Sequence, residues 1–94
     1  MKEIRLNGAK MVDKATTHAY LKRKLALPDY YDENLDALWD CLSIDFSQKK
    51  IIINKSETII ENLGLYGRLI IKLFQEVVGE NECIQVNIEN EINK

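Results

Sequence analysis

The chain has 94 residues, enough for one domain over residues 1–94 that buries roughly 60–65% of its unfolded surface. Its 46% hydrophobic and 30% charged residues are a globular balance, and a net charge of −2 excludes the basic face of a general nucleic-acid binder. Nothing after Met1-Lys2-Glu3 resembles the apolar region of a signal peptide and no apolar run is long enough to span a membrane, so a cytoplasmic protein with no membrane partner is expected.

Lys2-Glu3-Ile4-Arg5-Leu6 alternates polar and apolar residues and stops at the turn pair Asn7-Gly8, the pattern of a strand buried on one face. Asp13 is placed to cap a helix running to about Leu25, with Ala15, His18, Leu21 or Lys22, and Leu25 spaced along it. The basic run Lys22-Arg23-Lys24 falls at that helix's C-terminal end, where it complements the macrodipole and reads as solvated surface rather than a nucleic-acid patch. His18 is the only histidine and has no Cys, Asp or Glu at ligand spacing on its own helix, so a packed structural role is expected.

The segment from Leu25 to Ser43 holds the only proline and tryptophan, two of the four tyrosines and the densest run of acid. Pro28 cannot continue a helix and biases Leu27 away from helical dihedrals, so the first helix must give way to a short aromatic loop. Of the adjacent tyrosines, Tyr30 is expected to point outward and Tyr31 to pack. Asn34 is a good cap for a second helix from Leu35 to about Ser43. On that helix Leu35, Leu38 and Leu42 share one face, with Trp39 at its edge. Asp36 and Asp40 share another stripe, with Ser43 beside them, and like charges at that spacing repel. The helix dipole excuses Asp36 in the first turn but offers Asp40 much less. A local rule broken without visible compensation marks a candidate functional site. Catalytic or cation-binding carboxylates would have to converge across a cleft, whereas adjacent turns of one exposed helix form a ridge.

A loop over residues 44–50 leads to Ile51-Ile52-Ile53, a fully apolar, β-branched run typical of a strand buried on both faces. Ser56 is expected to cap a short helix that Gly64 ends. The next helix should run from Tyr66 to Val78, with Leu69, Ile70, Leu73, Phe74 and Val77 on its apolar face and Gly79 just past its end. Cys83 to Glu89 alternates as a third strand, and the polar residues 90–94 are expected to fray. Gly64, Gly67 and Gly79 all read as helix punctuation, and Cys41 and Cys83 as thiols. Strands separated by helical crossovers are parallel with right-handed connections. The expected architecture is a two-layer α/β domain with a three-stranded parallel sheet in order 1-2-3 and four helices on one face. Glu3, Arg5, Gln85 and Asn87 should lie on the other face, with isoleucine between them.

Leu25-Ala26-Leu27-Pro28, Tyr30-Tyr31 and the run Glu33-Asn34-Leu35-Asp36-Ala37-Leu38-Trp39-Asp40-Cys41-Leu42 resemble the barstar family of intracellular ribonuclease inhibitors. The likeness covers this segment closely, and the rest more loosely through element order, His18, Phe74, Glu76 and Cys83. It implies a partner-binding role in which Asp40 is the central anchor on a basic ribonuclease active site, with no cofactor and no catalytic residue. It further implies flanking ion pairs from Asp36 and Glu76, packing by Tyr30, loop contacts from Asn34 and Leu35, and marginal contacts from Trp39 and Ser43. The chain departs from the family pattern at Asp32, which replaces a glycine, and at Ile44 and Asp45, which replace glycine and tryptophan. Asp32 and Asp45 add acid beside the same face, so the partner set is expected to differ. The implied partner is a secreted or toxin ribonuclease, with no direct nucleic-acid contact and a monomer when free. The alternative is an immunity or interaction protein for another basic-cleft toxin or nuclease.

Overall fold

The computed structural model describes residues 1–89. The expectation of a frayed tail over 90–94 lies outside the described residues. The elements follow as β1 (Lys2–Asn7), a single 3-10 turn (Gly8–Lys10), α1 (Lys14–Leu25), α2 (Leu35–Ser43), β2 (Lys49–Asn54), α3 (Ser56–Leu63), α4 (Leu65–Glu80) and β3 (Ile84–Ile88). Among the described residues, no helix is long and apolar enough to cross a membrane.

The sheet is parallel throughout, in order β1-β2-β3. Its register aligns Ile4 with Ile51 and Val86, and Leu6 with Ile53 and Ile88. These alternate positions face the helices and join Leu21, Leu38, Leu42, Ile59, Ile70, Phe74 and Val77 in one core. On the opposite face Ile52 lies between Arg5 and Asn87. It is only 4% exposed although it lies outside the core cluster that the helices complete. The central strand is thus buried on both sides, and the outer strands alternate as their patterns require.

The first two helices start where expected. Asp13 accepts from the Thr16 amide at 2.7 Å, and Asn34 accepts from the Ala37 amide at 2.7 Å. Helix α1 ends with Ala26 in the left-handed region at φ 52°, the Leu27 amide donating back to the Lys22 carbonyl. This is the usual helix-ending turn made by a residue other than glycine.

Four residues are placed differently from expectation. Ser56 is the first residue of α3 rather than its cap; Lys55 precedes it at φ 56°, and the buried Ser56 donates its amide to the Glu89 carbonyl after β3. Gly79 lies inside α4, which continues to Glu80 and ends at Asn81. Gly67 is interior too, and its role is contact: a Cβ there would sit 2.7 Å from the Ile59 carbonyl oxygen, so its absence lets α4 approach α3. Leu69, expected in the core, is 42% exposed.

Ala26 holds a backbone conformation that costs an L-residue free energy and glycine almost none. Ala26→Gly should therefore raise unfolding stability by about 0.5–1 kcal/mol, read as an increased urea midpoint at unchanged slope. A lowered midpoint would show that the left-handed turn is not the limiting feature there.

Candidate functional site

The exposed flank of α2 belongs to the densest acidic run of the sequence. Residues 29–45 carry six carboxylates and no lysine or arginine, a charge of −6 against −2 for the whole chain, so the remainder carries +4. Asp29, Asp32, Glu33, Asp36 and Asp40 are all exposed. Among the described residues, no ion pair engages Asp36 or Asp40. They stand one turn apart on a helix whose opposite face buries Leu38 and Leu42. The repulsion between them, a few tenths of a kcal/mol in an isolated helix, is carried by that burial.

Glu76 comes to the same surface from α4. It lines an open groove with Leu35, Asp36, Trp39, Leu69 and Lys72, and its carboxylate is 3.9 Å from the Lys72 ammonium. Leu35 and Trp39 are half-buried and pack against the core while lining this groove. The apolar Leu69 is exposed because it belongs to the groove and not to the interior. On the other side of α2 a second groove is formed by Leu27, Pro28, Tyr30, Cys41, Ile44 and Asp45. Tyr30 is 82% exposed at its edge and Tyr31 only 5%, the division expected for the adjacent pair. Ile44 and Phe46, also exposed, extend the apolar surface beyond the helix end.

Asp45 is placed differently from the other acids. Its carboxylate is turned to Lys49, whose side chain is only 6% exposed, and accepts from the Ser47 amide and hydroxyl. Burial opposes its charge, but the bonds from Lys49 and Ser47 prevail and hold the carboxyl below its ordinary range. It is the counter-ion that lets Lys49 enter the sheet. Ser43 bonds to the Asp40 carbonyl within α2. Asp32 takes an ordinary backbone conformation, and the left-handed residue of the loop is Glu33 at φ 52°. The Asn34 side chain spans this turn, donating to the Asp32 carbonyl at 3.2 Å while capping α2. Cys41 is half-buried, and burial followed by the charges of Asp40 and Asp45 pushes its thiol up, away from reactivity.

Two residues outside the predicted set hold this surface in place. Asn81, buried where α4 ends, donates to the Leu42 carbonyl at 2.8 Å and the Asp45 carbonyl at 2.7 Å. Its oxygen accepts from the Cys83 amide at 2.9 Å. It thereby caps the last turn of α2 from another helix, a task no local pattern advertises. His18, 1% exposed, has Nδ1 at 2.5 Å from the Tyr31 hydroxyl and Nε2 at 2.6 Å from the Tyr66 hydroxyl. The packed reading of His18 holds, and its partners come from the aromatic loop and α4. Burial pushes the imidazole down, with Glu33 opposing weakly.

The match to known sequences agrees with this geometry. The family model described as "Barstar (barnase inhibitor)" matches residues 1–89. The chain belongs to the barstar family. A Bacillus subtilis (strain 168) protein named "Putative ribonuclease inhibitor YrdF" is 35% identical over 82 residues, covering 85% of this chain and 89% of that one. Barstar-family proteins are inhibitors and not enzymes, which accords with a ridge of carboxylates rather than a catalytic cleft. Within this member of the family, the segment carrying the resemblance is also the segment that His18 of α1 bonds through Tyr31 and that Asn81, at the end of α4, bonds through the Leu42 carbonyl.

Two expectations follow for stability. Asn81→Ala removes one acceptor and two donors, leaving the buried Leu42 carbonyl without its partner and the half-buried Asp45 carbonyl and Cys83 amide weakened, so it should cost about 2–4 kcal/mol in urea unfolding. A loss below 0.5 kcal/mol, within the range of a neutral surface change, would refute the clamp. Because folding favours neutral His18, the unfolded chain takes up its proton more readily. That contribution is complete above pH of about 6.5 and is lost as pH falls further. The urea midpoint should decline from pH 7 to 5 in wild type and flatten in His18→Gln; parallel curves would contradict burial of the neutral ring.

Proposed function

We propose that the chain inhibits a ribonuclease by seating α2 and the loop before it in the enzyme's cationic active site, its carboxylates taking the place of RNA phosphate. The observation that carries this reading is the pair Asp36 and Asp40, exposed and, among the described residues, without an ion-pair partner, on a helix held at both ends in a chain of the barstar family. An enzyme that stabilises a pentavalent phosphate concentrates positive charge in its cleft. Carboxylates already fixed in place meet such a cleft with little ordering cost.

Asp40 is the central anchor, with Asp36 and Glu76 as flanking ion pairs on either side of the groove. Tyr30 offers an exposed ring to stack on the enzyme, and Asp32, Asn34 and Leu35 supply loop contacts. Trp39 and Ser43 lie at the margin. Asp45 supports the loop after α2 and adds charge to the rim. The charge of −6 on residues 29–45 steers encounter with a basic partner even though the whole chain is nearly neutral. The partner is a secreted or toxin ribonuclease, and the inhibitor acts in the cytoplasm of the cell that makes it, as a monomer when free, as an immunity protein would.

Inhibition titrations against barnase test the proposal. Asp40→Ala should weaken inhibition between about tenfold and a hundredfold, the worth of a hydrogen bond to a charged group. Its urea midpoint should stay at the wild-type value, because an exposed unpaired charge adds little to stability. The association rate should fall steeply as salt rises from 50 to 500 mM. A variant that inhibits like wild type, or a rate indifferent to salt, would remove Asp40 from the site.

A further inference from the structure

Between α1 and α2 the chain runs for nine residues, 26–34, without regular structure, yet this loop must deliver Tyr30 and the α2 cap in one defined shape. Its own bonds are few. The Tyr31 amide donates to the Pro28 carbonyl at 3.0 Å, and Asn34 spans the turn at Asp32. Ala26 is held left-handed by the end of α1, but Glu33 also stands in the left-handed region, so the far half of the loop is not in a shape the backbone would choose by itself. Something outside the loop maintains it.

The candidate is His18. Both of its ring nitrogens are engaged, Nδ1 by Tyr31 of the loop and Nε2 by Tyr66 of α4. A neutral imidazole has one N–H and one bare nitrogen, so one hydroxyl donates to the ring and the other accepts from it. The ring thus joins three separate segments, α1, the loop and α4, at a point closed to solvent. Tyr31 is adjacent in sequence to Tyr30, and seating the one sends the other outward. The outermost member, Tyr66, is itself fixed by the Lys14 ammonium 4.5 Å above its ring.

We infer that His18 is a positioning residue for partner binding, holding the loop through the Tyr31 hydroxyl so that Tyr30 and the cap of α2 stand in their binding arrangement before encounter. The inference rests on the inhibitor reading of this surface. A loop ordered in advance is not ordered at the expense of affinity, and its loosening is felt in dissociation more than in association.

The two amides that mimic halves of the imidazole separate this role from general support. His18→Asn keeps a polar group near Nδ1, facing Tyr31, whereas His18→Gln reaches the Nε2 position, facing Tyr66. Tyr31→Phe removes only a hydroxyl and keeps the packed ring. Amide hydrogen exchange on the free proteins and dissociation rates from barnase are the readouts. His18→Gln and Tyr31→Phe should speed exchange at Tyr31 and Ala37 at least tenfold, leave Ile51–Ile53 unchanged, and speed dissociation about tenfold with association within twofold. His18→Asn should recover most of both effects. Exchange accelerated uniformly along the chain, or equal dissociation rates for the Asn and Gln variants, would overturn the assignment. Should wild type inhibit neither barnase nor any other basic secreted ribonuclease tried, the inhibitor reading fails, while exchange confined to the loop still upholds the hold of His18 on it.

Discussion

A nine-residue helix has no standing of its own in water, because nucleation is costly and so few turns cannot offset it. Everything this surface can do depends on α2 being held from outside. Asn34 satisfies its first turn, Leu38 and Leu42 pin its middle to the core, and the Asn81 amide takes its last carbonyls. With both ends and one face fixed, the opposite face is free to carry what a helix does not favour. Asp36 and Asp40 repel each other by a few tenths of a kcal/mol, which is small beside the burial of two leucines.

Charge is sorted along the chain in the same spirit. The segment 29–45 concentrates acid without a single base, while the lysines and arginines are distributed over the rest. Not every acid in the segment serves the same end. Asp45 looks equivalent to Asp40 in sequence, but its carboxylate is taken up by Lys49 at the start of the central strand. Counting carboxylates therefore overstates the free charge of the surface; their partners decide which of them are available to another molecule.

The grooves on either side of α2 give the ridge its flanks. On one side Trp39 and Leu69 provide an apolar floor between Asp36 and Glu76, and on the other Tyr30 and Ile44 border a shallow recess. Apolar contact beside charge is the usual anatomy of a protein interface, with water excluded where ion pairs are made. Leu69 shows how the two purposes compete: its helical phase suits the core, but it lines the open groove beside α2 and stays at the surface.

Much of this was legible in the sequence. Alternation in the outer strands, the unbroken isoleucines of the central one, and the caps Asp13 and Asn34 are local signals, and local signals survive folding because they act over a turn or a strand. The repelling pair Asp36 and Asp40 was readable for the same reason. Ser56, Gly67, Gly79 and Leu69 were misplaced because their roles depend on what lies across from them: a carbonyl after β3, the backbone of α3, the continuation of α4, and the groove beside α2. Asn81 and His18 were invisible as clamps because the partners that matter lie far along the chain: 36 and 39 residues for the carbonyls Asn81 binds, 48 and 13 for the tyrosines His18 binds. The sequence by itself determined which elements form and which acids cluster, since both follow from spacing along the chain. Only the tertiary structure decided which acids stay free and what holds the helix that bears them, since those are questions of contact between segments that spacing does not encode.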